Sequence, residues 1–406
     1  MAPIVWHPDV TNHIDWGIRF YEYGINNFYA PESNVWSFTW PNQPPGTILI
    51  FAAIRKIYEG TFSLVWTLNT AVAIFPSVIV TIVDTYLYPV LLKVPAILSD
   101  LGIAYLIYKF LNKFNYKKFA EYGALFFLFN PVIWYNSSVW GQTDAIISFF
   151  ALLSLWFIFD KKPTLSALAL AASLYIKLSL IIFIPIYAIL FFRQKFTIKQ
   201  IAVSAALPLI VFSLITLPFS YPENPLTWLF DIYREKVLTN QLQVITANAF
   251  NFWAALTGIV EQPHSLRFLG ATYQVWGGLL FAIAYIPLLY KLYRKPSFEN
   301  TIWVLCLTAF SSFMLLTNMH ERYLYPMFPF ITMLAVISPS IMPIYLSISA
   351  VNFLNLYHLW FVPRFSFSEI IFSTAGSLFP RALSIFSAAL YLYIMGIFWQ
   401  RKADKI

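Results

Sequence analysis

The sequence predicts an all-α polytopic membrane protein, and two observations carry that prediction. Only 11% of the 406 residues are charged while 59% are hydrophobic, whereas a soluble domain carries about 25% charged residues. The mean hydropathy of +0.67 points the same way. The apolar residues also gather into runs approaching the length of a bilayer crossing, separated by short polar or proline-rich breaks. That is the pattern of helices that satisfy their own backbone in lipid.

Taken in chain order, residues 1–45 are polar and aromatic and lack the basic and apolar regions of a secretory signal. They predict a first external loop holding an amphipathic interfacial helix at about 12–24. Apolar runs follow at about 46–58, 62–83, 88–110, 119–136, 144–159, 164–176, 179–192 and 201–219, an N-terminal bundle over 46–219. A large external loop is expected at 220–267. A C-terminal bundle over 268–406 contains the runs at 268–291, 300–317, 323–337, 341–361 and 380–399. The expectation is therefore a bundle of about 11–13 transmembrane helices. Several runs fall short of the roughly 20 residues a straight span needs, which predicts broken or tilted helices.

Charge orients the bundle. If every run crosses, Arg55–Lys56, Lys109–Lys118, Lys161–Lys162, Arg193–Lys199, Lys291–Lys295 and Arg401–Lys405 fall on one face and hold most of the 26 basic residues. The positive-inside bias makes that face cytoplasmic and leaves residues 1–45 and the 220–267 loop outside. The net charge of +8 is thus dispersed in short turns, which argues against a nucleic-acid partner. Cys306, the single cysteine, lies inside an apolar run, so disulfides and cysteine metal sites are excluded within the chain. No HExxH, phosphate-binding glycine loop or nucleophile elbow occurs.

This orientation collects the chemistry-bearing residues on the external face. Asn318-Met319-His320-Glu321-Arg322-Tyr323 places ionisable groups at the boundary between two apolar runs, where desolvation is costly and a site is the natural explanation. His7, Asp9 and Asp15 in the first loop offer a general base, or a solvated loop with an interfacial helix. In Trp40-Pro41-Asn42-Gln43-Pro44-Pro45-Gly46 the paired prolines start a helix, and Asn42 and Gln43 are candidates for ligand hydrogen bonds. Trp140-Gly141-Gln142-Thr143-Asp144 ends a broken run, with Asp144 either a helix cap or a site residue. Lys177 interrupts the apolar stretch 165–190 and needs an anionic partner unless it snorkels.

In order, these segments resemble the GT-C superfamily of membrane glycosyltransferases. The likeness is to bacterial mannosyltransferase-like members akin to protein O-mannosyltransferases and lipid-linked-oligosaccharide glucosyltransferases. It rests on Asp9…Trp16-Gly17…Gly24…Phe28-Tyr29, Asn42-Gln43-Pro44-Pro45-Gly46 and Leu91–Leu101. It also rests on Asn130-Pro131…Tyr135–Asp144, Asn248-Ala249-Phe250-Asn251-Phe252-Trp253 and Met319–Leu324. The family has a Tyr before the paired prolines where this sequence has Gln43, and a membrane helix before its first external loop, which is not seen here.

The resemblance implies a GT-C-type bundle in a bacterial or archaeal cytoplasmic membrane, with its active site facing outward. It implies inverting transfer of a hexose, mannose or glucose, from a polyprenyl-phosphate-linked donor to an external lipid, glycan or protein hydroxyl. Asp9 corresponds to the family's catalytic base, with Asp15 as second choice. His320, Glu321, Arg322, Lys177, Gln142, Asp144, Asn42, Gln43 and His7 are the expected donor-phosphate and substrate-binding residues. No cofactor is implied, and the absence of a dense carboxylate cluster argues against a tightly bound metal while leaving a weakly held divalent ion open. The alternative function is a transporter or flippase of a lipid-linked sugar, which internal repeats and broken midplane helices would favour.

Overall fold

The computed structural model describes residues 3, 5–30, 35–238, 242–358, 360–374 and 378–401. It is helical almost throughout. The helices are α1 (Pro8–Tyr23), α2 (Pro45–Ala71), α3 (Val78–Ile82), α4 (Tyr88–Lys113), α5 (Ala120–Leu128), α6 (Pro131–Trp134), α7 (Asp144–Phe159), α8 (Pro163–Ile176) and α9 (Ile184–Arg193). They continue with α10 (Ile198–Ser220), α11 (Pro225–Asp231), α12 (Phe252–Thr257), α13 (Tyr273–Arg294), α14 (Phe298–Leu315), α15 (Phe328–Ile337), α16 (Met342–Tyr357), α17 (Ser366–Thr374) and α18 (Leu378–Gln400). Two-residue strands β1 (Arg267–Phe268) and β2 (Ala271–Thr272) pair antiparallel.

Six helical stretches are long and apolar enough to cross a membrane: Val78–Lys113, Ile198–Ser220, Tyr273–Arg294, Phe298–Leu315, Pro339–Tyr357 and Leu378–Gln400. Shorter apolar helices add Asp144–Phe159, Pro163–Ile176 and Leu178–Arg193. The chain is an all-α membrane protein.

The chain forms two compact units that interleave along the sequence. The first comprises Met1–Asp100, Asn136–Leu180 and Thr197–Gln241. There α1 buries Val10, His13, Trp16, Gly17 and Phe20 along one face, packed with Ile48, Phe51 and Ala52 of α2. Pro44 and Pro45 begin α2 as expected. A side chain at Gly46 would lie 2.6 Å from the Tyr175 carbonyl oxygen, so glycine lets α2 and α8 touch backbone to backbone. Thr47 Oγ1 donates to the Ile176 carbonyl beside it, at 2.5 Å. Between α7 and α8, Ser173 donates to the Ile147 carbonyl at 2.8 Å and Ser154 to that of Ser166 at 2.8 Å. In lipid such close contacts and hydroxyl bridges hold helices together, because surrounding tails are as apolar as leucine.

The second unit comprises Leu101–Tyr135, Ile181–Phe196 and Leu242–Ile406. Its centre is α14, buried on every side from Asn300 to Met314, with α15 buried from Phe328 to Val336. Burial on every side makes α14 the central element of this unit.

The structure corrects several sequence boundaries. The runs 46–58 and 62–83 do not end at Glu59–Thr61, because α2 continues through them. Arg55 and Lys56 pair with Glu59 at 2.8 Å each, four and three residues apart, so polar residues that read as a loop are helix-stabilising pairs. Asp84 is no break either, since a π-helical stretch, Val83–Leu87, joins α3 to α4. The run 119–136 is divided at Asn130-Pro131. The run 323–337 begins its α-helix only at Phe328, after the short 3-10 turn Tyr325–Met327. The helix expected at about 12–24 starts at Pro8 and not near 12. The 220–267 loop contains α11 and α12.

Candidate functional site

The residues singled out from sequence fall into two groups, one in each unit. In the first, α1 begins at Pro8 with His7 as N-cap, the imidazole Nδ1 accepting from the Asp9 N–H at 3.2 Å. Asp9 therefore sits in the first helical turn, where the helix dipole favours a carboxylate. Its Oδ2 accepts from Trp140 Nε1 at 3.3 Å and from the Gln142 side-chain amide. Both donors are neutral, and together they orient the carboxylate. His7 Nδ1 also lies 3.3 Å from Asp9 Oδ2. That contact is an ion pair only when the imidazole is protonated. The His7 ring lies against Trp140, centroids 4.2 Å apart. Asp9 keeps 29% side-chain exposure, open enough for a substrate to reach it.

The Trp140–Asp144 segment owes its shape to a π-helical stretch, Tyr135–Trp140, ended by Gly141 at φ +93°. A side chain there would stand 2.5 Å from Val10 Cγ2, so both backbone angle and space demand glycine. The N–H groups of Gly141 and Gln142 both donate to the Asn136 carbonyl, at 3.1 and 3.0 Å. Beneath them Lys93, fully buried, donates to the carbonyls of Val5 at 2.5 Å and of Ser138 and Val139 at 3.1 Å each. Lys93 thus ties the segment leading to His7 and Asp9 to the π-helical segment leading to Gln142.

Asp144 is not the N-cap of α7; Thr143 occupies that position. Instead Asp144 Oδ1 receives Lys177 Nζ at 2.7 Å, both groups buried. The anion that Lys177 requires is therefore Asp144, and the snorkelling alternative does not hold. Asp144 Oδ2 is buried with no hydrogen-bond partner among the described residues, as are the side-chain groups of Asn136 and the hydroxyls of Ser137 and Ser148. Ser148 lies one turn along the same face of α7 as Asp144. Buried polar atoms left without partners mark where water or a bound molecule supplies them.

Asp15 is differently engaged. It accepts from the Ser37 N–H at 3.0 Å, the Ser37 hydroxyl at 2.8 Å and Arg19 Nε at 3.4 Å. It clamps α1 to the segment before Pro41. Asn42 and Gln43 are half-buried in the turn before α2. The Gln43 carbonyl accepts from Tyr29 Oη at 2.7 Å, while its side-chain oxygen is buried with no partner among the described residues.

The second group is His320, Glu321 and Arg322. Glu321 is buried and holds Arg322 Nη1 at 2.7 Å. Its own carbonyl accepts from Asn352 Nδ2 at 3.0 Å. His320 bridges the backbone of Ala247 and Asn248 and packs its ring on Tyr323, centroids 5.0 Å apart. Asn248, at φ +65°, accepts at its side-chain oxygen from His358 Nδ1 at 2.9 Å and at its carbonyl from Asn355 Nδ2 at 2.6 Å. Burial pushes the His358 imidazole down to about 4.

Sequence reasoning assigned no role to Lys93, Asn352, Asn355 or His358. A signal existed for the last three: they recur every third residue, one side of α16 and its end, in an otherwise apolar run. Among the described residues no group of three or more His, Cys, Asp or Glu side chains is placed to hold a metal ion.

No protein-family model matches this chain, and no curated protein is similar to it at a significant level.

Proposed function

We propose that the protein is a membrane glycosyltransferase that moves a sugar from a polyprenyl-phosphate donor to an acceptor hydroxyl, with Asp9 as general base. One observation carries the reading: Asp9 is a partly exposed carboxylate oriented by two neutral donors, Trp140 and Gln142. A carboxylate aimed by fixed donors and reachable from outside has the position a general base needs. Asp15, held by Ser37 and Arg19, is the weaker candidate on the same argument.

In the reaction, an acceptor hydroxyl gives its proton to Asp9 while its oxygen bonds to the anomeric carbon, and the sugar–phosphate bond breaks with inversion. The polyprenyl phosphate departs with the bonding pair. The unpartnered groups on Asp144, Ser137 and Ser148 suit the hydroxyls of a sugar. For Arg322 we assign the donor phosphate, since a guanidinium binds phosphate oxygens in paired hydrogen bonds. Glu321 holds it in place, and His320 is assigned to the donor as well.

A flippase for the same lipid is the second reading. It is favoured by the buried Asp144–Lys177 pair, which sits where α8 gives way to a 3-10 stretch, Leu178–Phe183, because broken helices with buried ions recur in transporters. Purified protein in liposomes, supplied with a panel of polyprenyl-phosphate sugars and acceptors and read by mass spectrometry, separates the two. Glycosylated product supports transfer; translocation of intact donor with no product supports the flippase.

A further inference from the structure

The helical hairpin formed by the second half of α2, the turn 72–77 and α3 with the π stretch after it is built unlike its neighbours. From Gly60 to Leu87 it contains no buried residue. Ile57, Leu64, Trp66, Val72, Ile74 and Val78 stand in the open, Ile74 at 91% exposure. Bare apolar surface of this extent needs lipid or a partner against it.

Yet its composition argues against α2 crossing a bilayer. It is 27 residues long, about 40 Å, but is not among the six helices apolar enough to span. A crossing from Pro45 would carry Arg55, Lys56 and Glu59 to about 15–20 Å depth, the middle of a core roughly 30 Å thick. There the Lys56 side chain, 57% exposed, would face hydrocarbon. A second observation agrees. The polar helix α1 lies along the first half of α2: Tyr21 Oη donates to the Ala52 carbonyl at 2.8 Å, and Lys56 Nζ stands 4.1 Å from the Tyr21 ring centre. A crossing α2 would drag Arg19 and Glu22, an exposed ion pair, into the bilayer with it.

The polar residues of the hairpin instead form narrow stripes. On α2, Lys56, Glu59, Ser63, Thr67 and Thr70 recur every three or four residues, and on its partner Ser77, Thr81 and Asp84 do the same. Ile57, Leu64 and Leu68 form a separate stripe about a third of a turn away around α2. This is the pattern of helices that rest in the interface, charged edge to water and apolar face among acyl chains.

We propose that the hairpin lies in the plane of one leaflet, its turn on the same side of the membrane as Pro45, with lipid covering its apolar face. The helix Val78–Lys113, about 54 Å long and far longer than one crossing, then crosses once, in the part beyond Asp84. One crossing replaces the three read from sequence between residues 46 and 110, an even change that leaves the orientation of everything after Lys113 as it was. The inference does not depend on sugar transfer.

The test uses single cysteines in a Cys306→Ala background in sealed vesicles, with a membrane-impermeant maleimide applied to each face. Thr67→Cys and Ser77→Cys should label from the face that labels Glu22→Cys, opposite to Lys118→Cys. A fluorophore on Leu68→Cys should be quenched by a nitroxide on lipid acyl chains. Labelling of Ser77→Cys from the Lys118 face would overturn the proposal, as would failure of Thr67→Cys to label from either face. Disulfide-linked dimers through Leu68→Cys without lipid quenching would assign the surface to a second copy and refute lipid as its cover.

Discussion

Gln142 donates its side-chain amide to the carboxylate of Asp9 across 133 residues of sequence. One residue opens α1 and the other follows a π-helical turn, and each is positioned by backbone that Lys93 grips. The carboxylate is thus aimed from outside its own helix.

Replacing Asp9 with Asn should lower sugar transfer by roughly 10²–10⁴-fold, the usual worth of a general base. Donor binding should stay near its original value. Gln142→Ala should lower kcat by about tenfold with little change in KM, since it loosens the aim of the base without removing it. Steady-state transfer assays in liposomes read both, and full activity of Asp9→Asn would sink the proposed role.

Arg322→Ala should raise the dissociation constant for the donor while leaving Asp9-dependent chemistry in saturated enzyme largely intact. Arg322→Lys should restore only part of the affinity, because an ammonium lacks the planar fork of a guanidinium. Donor titration by calorimetry checks the order.

Lys177→Met alone should destabilise the protein by about 3–5 kcal/mol, because it strands the buried Asp144 carboxylate. Adding Asp144→Leu should recover much of that loss. Thermal unfolding in detergent distinguishes the variants, and equal stability of single and double variants would remove the pair from any structural account.

His358 predicts a pH dependence. Burial holds its folded pKa at about 4, below the ordinary 6.5. The unfolded chain therefore binds the proton more readily, so the contribution is fully present above about pH 6.5 and lost as pH falls toward 4. The loss should amount to roughly 3 kcal/mol. His358→Gln should flatten the profile of stability against pH across that window.

Gly141→Ala places a Cβ against Val10 and forces a non-glycine residue to φ +93°. A cost of about 1–3 kcal/mol follows, together with a fall in activity from misplaced Gln142. Melting temperature and kcat should drop in the same variant.

Much of the architecture was legible because lipid imposes a simple rule on apolar run length. Pro44-Pro45 and Asn130-Pro131 mark true helix starts for the same reason that proline marks them anywhere. The need of Lys177 for an anion was readable from its apolar surroundings; that Asp144 answers it was not, since 33 residues and a helical turn-back lie between them. The continuity of α2 was hidden because Arg55, Lys56 and Glu59 look like a loop until their spacing is seen as pairing on one helix. Lys93 was invisible as a clamp because its partners are carbonyls, which every residue has and no side-chain pattern announces.

That clamp has a kinetic corollary. Val5, Ser138 and Val139 share one ammonium, so neither segment can loosen without surrendering bonds that also hold the other. The amides of His7, Gly141 and Gln142 should then exchange with deuterium as a single cooperative group, opening together and closing together. Lys93→Met would split that group into two independent exchange classes.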